Sequence, residues 1–286
     1  MASPTVYAPA ADADPASWTL PLLRYRPTPT EQEQIAKAEN LLVERCAARF
    51  GIAWTPDPPL PPIGPKNLMD WRYGIHDPNL SSQRGYQTDA AQQARYDAAF
   101  RARATRPPET ADTQVVLAGL GIPVDTLALA SSEARAGTVA GQAVPEGGCV
   151  GEARRTLGSP TRGVSTFVQQ LTSASYPESM NDPEVKAVFG QWSHCMASRG
   201  YGYAAPMDAN DDPQFRPKPG GVSQREIDTA IADLDCRNAY RVAEVWHAAE
   251  VRIQEGLVAA NTVALEADRR TLDGVIRVAG EVLAGR

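Results

Sequence analysis

The sequence predicts a mainly α-helical fold. It reads as a helical body with long irregular proline-rich loops, two loosely repeated halves, and a long C-terminal helix or helical hairpin. Three observations predict this. Apolar residues recur at spacings of three and four in several stretches bounded by cap residues, while sustained apolar–polar alternation is lacking. From Ser223 to Arg286 no proline interrupts the apolar pattern. Finally, one short phrase occurs twice, as "RCAARFGIAW" at 45–54 and "HCMASRGYGY" at 194–203. Each sets a glycine five residues after a cysteine and an aromatic three residues after the glycine: Cys46, Gly51, Trp54, then Cys195, Gly200, Tyr203. At 286 residues the chain suits one large domain or two modest ones.

Residues 1–19 read as a disordered, Ala/Pro-rich lead-in, and 20–222 as the helical body carrying both phrases. In "TEQEQIAKAENLLVERCAARFG", Thr30 and Glu33 form a capping box, and Ile35, Ala38, Leu42, Cys46 and Phe50 make one apolar stripe. Gly51 stops this helix because it tolerates the left-handed conformation. "WTPDPPLPPIGPK" is too proline-dense for a helix, and 67–88 reads as an irregular loop pinned by Trp71, Tyr73 and Tyr86. Asp89–Ala104 is helical with Tyr96 and Phe100 on one face, and 107–146 is mixed, with a short apolar segment at Val115–Leu120. Helices follow at Gly148–Leu157 and near Val164–Ala174. The next begins at the Asp182 cap with Pro183 in its first turn and ends at Gly200; Val185, Val188 or Phe189, Trp192, Cys195 and Met196 face inward.

Residues 223–286 open on a second capping box, Ser223 with Glu226, and their apolar spacing is heptad-like from Val242 to Ala267. Unbroken, this helix approaches ~90 Å at 1.5 Å per residue. Gly256 and Gly274 are the expected hinges if it breaks. Its seam, centred on Val242, Val245, Trp246, Ala249 and Ile253, must be buried on the body or on a partner, which makes those five the candidate partner-binding residues.

Hydrophobic residues make up 43% and charged residues 22%, ordinary globular values, and the net charge is −6. With a pI near 5.2, a general nucleic-acid-binding surface is excluded. No apolar run approaches the ~20 residues of a membrane span. "MASPTVYAPAADADPAS" lacks a basic region followed by an apolar one, so it is not an intact signal peptide; it fits both a mature exported protein and a cytosolic chain with a loose tail. A lipid anchor in a precursor is compatible with it.

The four cysteines allow three connectivities. Each phrase is followed, after proline-rich chain, by one more cysteine expected at the start of a helix: Cys149 in "GGCVGEARRTL" and Cys236 in "ADLDCRNAYRV". The simplest pairing is therefore Cys46–Cys149 with Cys195–Cys236, and four buried thiols in a reducing compartment are the alternative. Cys195-Met196, Gly200-Tyr201, Pro206 and "AIADLDC" resemble a pattern of exported helical proteins and lipoproteins of actinobacteria. These carry a "CM…GY" phrase, a proline-rich loop, then a second cysteine in the next helix. "GCVGEARRTL" and "VWHAAEVRIQEGLVAANTVAL" are similar in style, and the first phrase departs by having Ala47 where the second has Met196. The resemblance spans about residues 20–286 and implies export and disulfides, not a reaction.

No catalytic constellation stands out. His76, His194 and His247 belong to no metal-ligand spacing, and "HCM" at 194–196 points its side chains about 100° apart on a helix. "DANDD" at 208–212 starts like a calcium loop, but Pro213 and Pro219 occupy the glycine and glutamate positions. "VVLAGLG" lacks the third glycine of a phosphate turn, and "GSP" is not a nucleophile elbow. No metal, cofactor or catalytic residue is therefore assigned. Trp54, Trp71, Tyr73, Tyr201 and Tyr203 are candidate ligand-binding aromatics, with the pinning of loops to the body as the plainer reading. The function expected is a noncatalytic extracellular or cell-envelope binding and assembly module. It would engage a protein partner, or a second copy, through the C-terminal helix. The alternatives are an exported hydrolase of envelope polymers, marked by a deep pocket joining His76 or His247 to carboxylates, and a small-ligand carrier.

Overall fold

A computed structural model describes residues 14–216 and 221–285. The chain is mainly α, 66% helical. Thirteen α-helices occur among the described residues: α1 Pro29–Arg49, α2 Pro78–Arg84, α3 Ala90–Ala104, α4 Ala111–Ala118, α5 Val124–Ala128, α6 Ser132–Arg135, α7 Gly148–Leu157, α8 Thr166–Ser179, α9 Pro183–Ser198, α10 Pro206–Asn210, α11 Gln224–Ala239, α12 Val242–Ala260 and α13 Thr262–Leu283. One antiparallel hairpin pairs β1 Thr138–Val139 with β2 Gln142–Ala143, setting Thr138 opposite Ala143.

The chain divides into two compact units, each built from three interleaved segments. One takes residues 22–59, 102–170 and 260–286; the other takes 60–101 and 171–259 with the residues before Leu22. Each holds one disulfide, Cys46–Cys149 in the first and Cys195–Cys236 in the second, with Cα separations of 5.5 and 5.8 Å. The pairing is the one the repeated phrase implies. The halves are not consecutive stretches, however, and the boundary at 222/223 is not where the units divide.

The phrase itself is a helix stop made twice in the same way. Gly51 N–H bonds Ala48 O and Ile52 N–H reaches back to Ala47 O; Gly200 N–H bonds Ala197 O and Tyr201 N–H reaches back to Met196 O. Both glycines have positive φ, +72° and +90°. This six-residue closure needs a left-handed residue, which glycine adopts without a Cβ clash. Cys149 opens α7, as expected. Cys236 instead lies in the last turns of α11, because the helix already starts at the Ser223 cap.

In the Cys46 unit, α1 starts two residues earlier than expected. Pro29, suited to the first turn, makes Thr28 the N-cap, and Thr28 rather than Thr30 forms the reciprocal box with Glu31. Ile35 and Ala38 of α1 pack on Leu157, Leu272, Val275 and Ala279, while Val43, Cys46 and Phe50 pack on Val116, Cys149 and Ala153. Glu39 is buried on this face and is held by Arg154 (3.2 Å) and by Arg162. The segment 107–146 resolves into α4, α5, α6 and the hairpin, with Val115, Val116 and Leu117 buried.

In the Cys195 unit, residues 67–88 are not wholly irregular. Asp77 caps α2 and Pro78 opens it, and α2 packs on α11. Asp182 and Pro183 open α9 as read, burying Val185, Phe189, Trp192 and Met196. Ser223 caps α11, but Glu226 turns away from the cap to accept from Gln87 Nε2 (2.7 Å), so this second box is not reciprocal. Of the expected lead-in, residues 1–13 lie outside the described residues. Asp14 caps a 3-10 turn at Pro15–Ser17, and Trp18 stacks on His247 at 4.7 Å, so the lead-in ends before Asp14.

The stretch 223–286 is three helices rather than one. Arg241 sits at φ +52°, in the left-handed region, and ends the run from α11; Asn261 interrupts the run between α12 and α13. Gly256 and Gly274 lie inside α12 and α13 and are not hinges. Helical glycine keeps helical angles when its neighbours pack, whereas the left-handed Arg241 cannot continue the ladder.

Candidate functional site

The inward seam of α12 finds its partner inside its own unit. Val242, Trp246 and Ala249 are fully buried, while Val245 and Ile253 are half-buried. Trp246 donates from Nε1 to Ser179 Oγ at 2.7 Å and is boxed by Tyr73, Tyr176 and Phe189, ring centroids 5.0–5.4 Å away. Aromatic packing of this density is core architecture, so these five residues do not form an open partner-binding face.

The candidate ligand aromatics are divided between the two units. Trp54 belongs to the Cys46 unit and packs against its core cluster. Trp71 lies beneath Arg84, whose guanidinium is 5.5 Å from its ring. Tyr73 is buried and donates to Glu250 (2.8 Å); Tyr203 donates to Asp212 (2.7 Å), whose carboxyl the Gln214 N–H and then this phenol hold below the usual range. Tyr201 is half-buried at the helix stop. The acidic residues of 208–212 act as local caps: Asp208 accepts from Ala205 N–H and Asp212 from Gln214 N–H, both at 2.8 Å.

A polar network that the sequence reading did not assign runs through the Cys195 unit. Glu250 is fully buried and accepts from Arg72 Nε (2.8 Å), Tyr73 OH (2.8 Å), Ser175 Oγ (2.7 Å) and Gln254 Nε2 (3.2 Å), with a second Arg72 contact through Nη2. Burial alone raises a carboxyl pKa, but Arg72 and these donors outweigh it and hold Glu250 below its ordinary value. Burial and the adjacent Glu250 charge push the Tyr73 phenol up, and burial lifts Tyr176, under the Arg72 guanidinium, to about 12. Next to it, Asp233 accepts from Trp192 Nε1 (2.8 Å), Arg237 Nε (2.6 Å) and Tyr86 OH (3.1 Å). Arg237 also donates from Nη1 to Tyr73 O (2.6 Å) and from Nη2 to Pro206 O (2.9 Å). Gly74, at φ +99°, admits this guanidinium: a Cβ there would lie 2.2 Å from Arg237 Nη1. Two signals in the sequence pointed this way. Asp233 and Arg237 are four apart on one helix, and Glu250 interrupts the apolar stripe between Trp246 and Ile253.

The third arrangement is at His76. Among the described residues, Asp14, Asp70 and His76 bring one ligand atom each to within 4.8 Å of one another. Nε2 of His76 lies 2.7 Å from Asp70 Oδ1, and its Nδ1 lies 3.7 Å from Asp14 Oδ1. Asp70 is buried and also accepts from Lys66 N–H at 2.7 Å; burial raises its pKa, but that bond and His76 hold it below the usual range. His76 lines a cavity of about 30 Å³ with Trp71, Leu80, Tyr86 and Asn210. That is room for one or two waters and not for a substrate. His247, the other histidine tied to the hydrolase expectation, bonds Thr19 O at 2.8 Å and faces Trp18.

The surface offers a contrast. Ile122 and Leu127 turn inward against Val115, Ala130 and Ala134, whereas Leu120, Val124 and Leu129 face solvent. Val124 is 80% exposed and Leu129 82%. Across the whole chain, no family model, curated protein or solved structure matches.

Proposed function

We propose that this protein is a noncatalytic binding or assembly module of the bacterial cell exterior, stapled by its two disulfides, and that it engages a protein partner or a second copy through the 119–130 segment of the Cys46 unit. The observation carrying this reading is the exposure of Leu120, Val124 and Leu129 within ten residues of one another in sequence. Large apolar side chains left in water gain the most from a partner, and clusters of them mark interaction surfaces. This replaces the C-terminal seam, whose centre is already occupied. Disulfides persist in oxidising compartments, which supports export, as does the resemblance to exported actinobacterial proteins. The saturation of Glu250 and Asp233 by internal donors supports a structural role for these groups.

The test is mass by light scattering, together with cross-linking in the native envelope fraction, for the wild type and Val124→Asp/Leu129→Asp. Both side chains are solvent-facing, so the variant keeps its melting temperature. Loss of a discrete complex in the variant is the expected result. Identical complexes in variant and wild type, or turnover of an envelope polymer by the purified protein, would overturn the proposal.

A further inference from the structure

Beyond partner binding, we infer that His76 Nδ1 and the Asp14 carboxylate form a binding site for a divalent transition cation of the zinc class, with Asp70 as the orienting carboxylate behind the histidine. The site joins two separate pieces of sequence, Asp14 and the loop carrying Asp70 and His76, which is why no ligand spacing announced it.

The two oxygens of Asp70 accept from Lys66 N–H and face His76 Nε2, both at 2.7 Å. An ionised carboxylate only accepts, so Nε2 must carry the proton. When the ring is neutral, Nδ1 is left as an acceptor 3.7 Å from Asp14 Oδ1, an oxygen that also accepts from Ala16 N–H at 2.9 Å. The gap between Nδ1 and Oδ1 is beyond hydrogen-bond length. Two electron-rich atoms face one another there, and a cation between them removes the repulsion. With bonds of about 2.0–2.2 Å, ligands at that separation subtend about 115–135°, a few tenths of an ångström from tetrahedral. A histidine whose other nitrogen donates to a carboxylate is the arrangement that fixes the tautomer and raises ligand basicity in metal sites. One imidazole and one carboxylate suit borderline cations, and water completes the shell. Asp14 also caps the turn at Pro15–Ser17, so a bound ion would fasten that turn to the loop carrying Asp70 and His76.

The experiment is titration of the full, tag-free chain with Zn²⁺ by calorimetry and with Co²⁺ by its visible spectrum, at pH above the histidine range. One saturable equivalent is expected, with a shift of the His76 Nδ1 resonance on Zn²⁺ addition. His76→Gln and Asp14→Asn each lose the equivalent, and Asp70→Asn weakens binding by about 10–100-fold. Asp14 is half-exposed, so its variant tests the site even if His76→Gln perturbs folding. Absence of saturable binding in the wild type at millimolar Zn²⁺, or wild-type binding by Asp14→Asn, would overturn the assignment.

Discussion

Replacing Glu250 by Gln removes one charge from the centre of the Cys195 unit while preserving shape. The Arg72 side chain keeps only 10% of its surface in water, so its guanidinium would be left without a counter-charge. Breaking a buried pair this way costs about 3–5 kcal/mol, far above the effect of breaking a solvent-exposed surface pair. Glutamine can still accept from Ser175 and Tyr73, which places the expected loss near ~3 kcal/mol. That corresponds to a fall in melting temperature of roughly 6–12 °C for a protein of this size. Urea unfolding followed by circular dichroism measures it directly. The pH dependence gives an independent arm. The folded Glu250 pKa lies below its ordinary 4.5, so its contribution is present above that value and is lost as pH falls through the folded pKa. The gap between wild type and Glu250→Gln therefore narrows on acidification below pH ~4.5. Joint replacement of Arg72 and Glu250 by apolar residues should cost less than the sum of the single changes. A loss under ~1 kcal/mol for Glu250→Gln, with no pH dependence, would refute the view that this pair is desolvated and structural.

Four further outcomes follow from the same geometry. The Cys46–Cys149 bridge closes 103 residues and Cys195–Cys236 closes 41, so paired Cys→Ser variants should lose about 4.7 and about 3.9 kcal/mol on the loop-entropy account; thermal unfolding ranks them. Gly74→Ala should destabilise strongly, because its Cβ would meet Arg237 Nη1 at 2.2 Å on backbone already at φ +99°, and loss of cooperative urea unfolding reports it. Gly256→Ala and Gly274→Ala meet nothing within 4 Å inside helices and should each stabilise by up to ~1 kcal/mol; destabilisation would instead mean that these glycines bend the chain. Trp246→Ala should cost about 3–5 kcal/mol in a denaturant melt, since the ring is wholly buried; a neutral effect would return the α12 seam to the surface.

The helices bounded by strong punctuation were legible in the sequence. Asp182–Pro183 and Gly200 delimit α9, and the repeated Cys–Gly–aromatic phrase yields both the helix stops and the simplest cysteine pairing. These signals are local, so a short window contains all the physics. The break at Arg241 was not legible, because a non-glycine residue at φ +52° is imposed by packing rather than by its own propensity. The start of α1 slipped by two residues because Thr28 and Thr30 both precede a glutamate by three, and Pro29 decides between them. The site followed the same division. Asp14 is brought to the loop carrying Asp70 and His76 only by folding, and Glu250 with Arg72 joins residues 178 positions apart. No spacing rule reaches across such distances. The exposure of Val124 and Leu129 was equally hidden, since apolar residues in a short helix read as core until their neighbours Ile122 and Leu127 are seen to fill it.

The proposed meeting place with a partner is the 119–130 segment. Site-specific photo-cross-linking from positions 124 and 129, in cells of the native host, tests it most directly. Position 194, exposed on α9 in the Cys195 unit, serves as the control. A discrete adduct from 124 and 129, recovered outside the cytoplasm and missing from 194, is the predicted result. The same background from all three positions, or adducts formed only with cytosolic proteins, would contradict it.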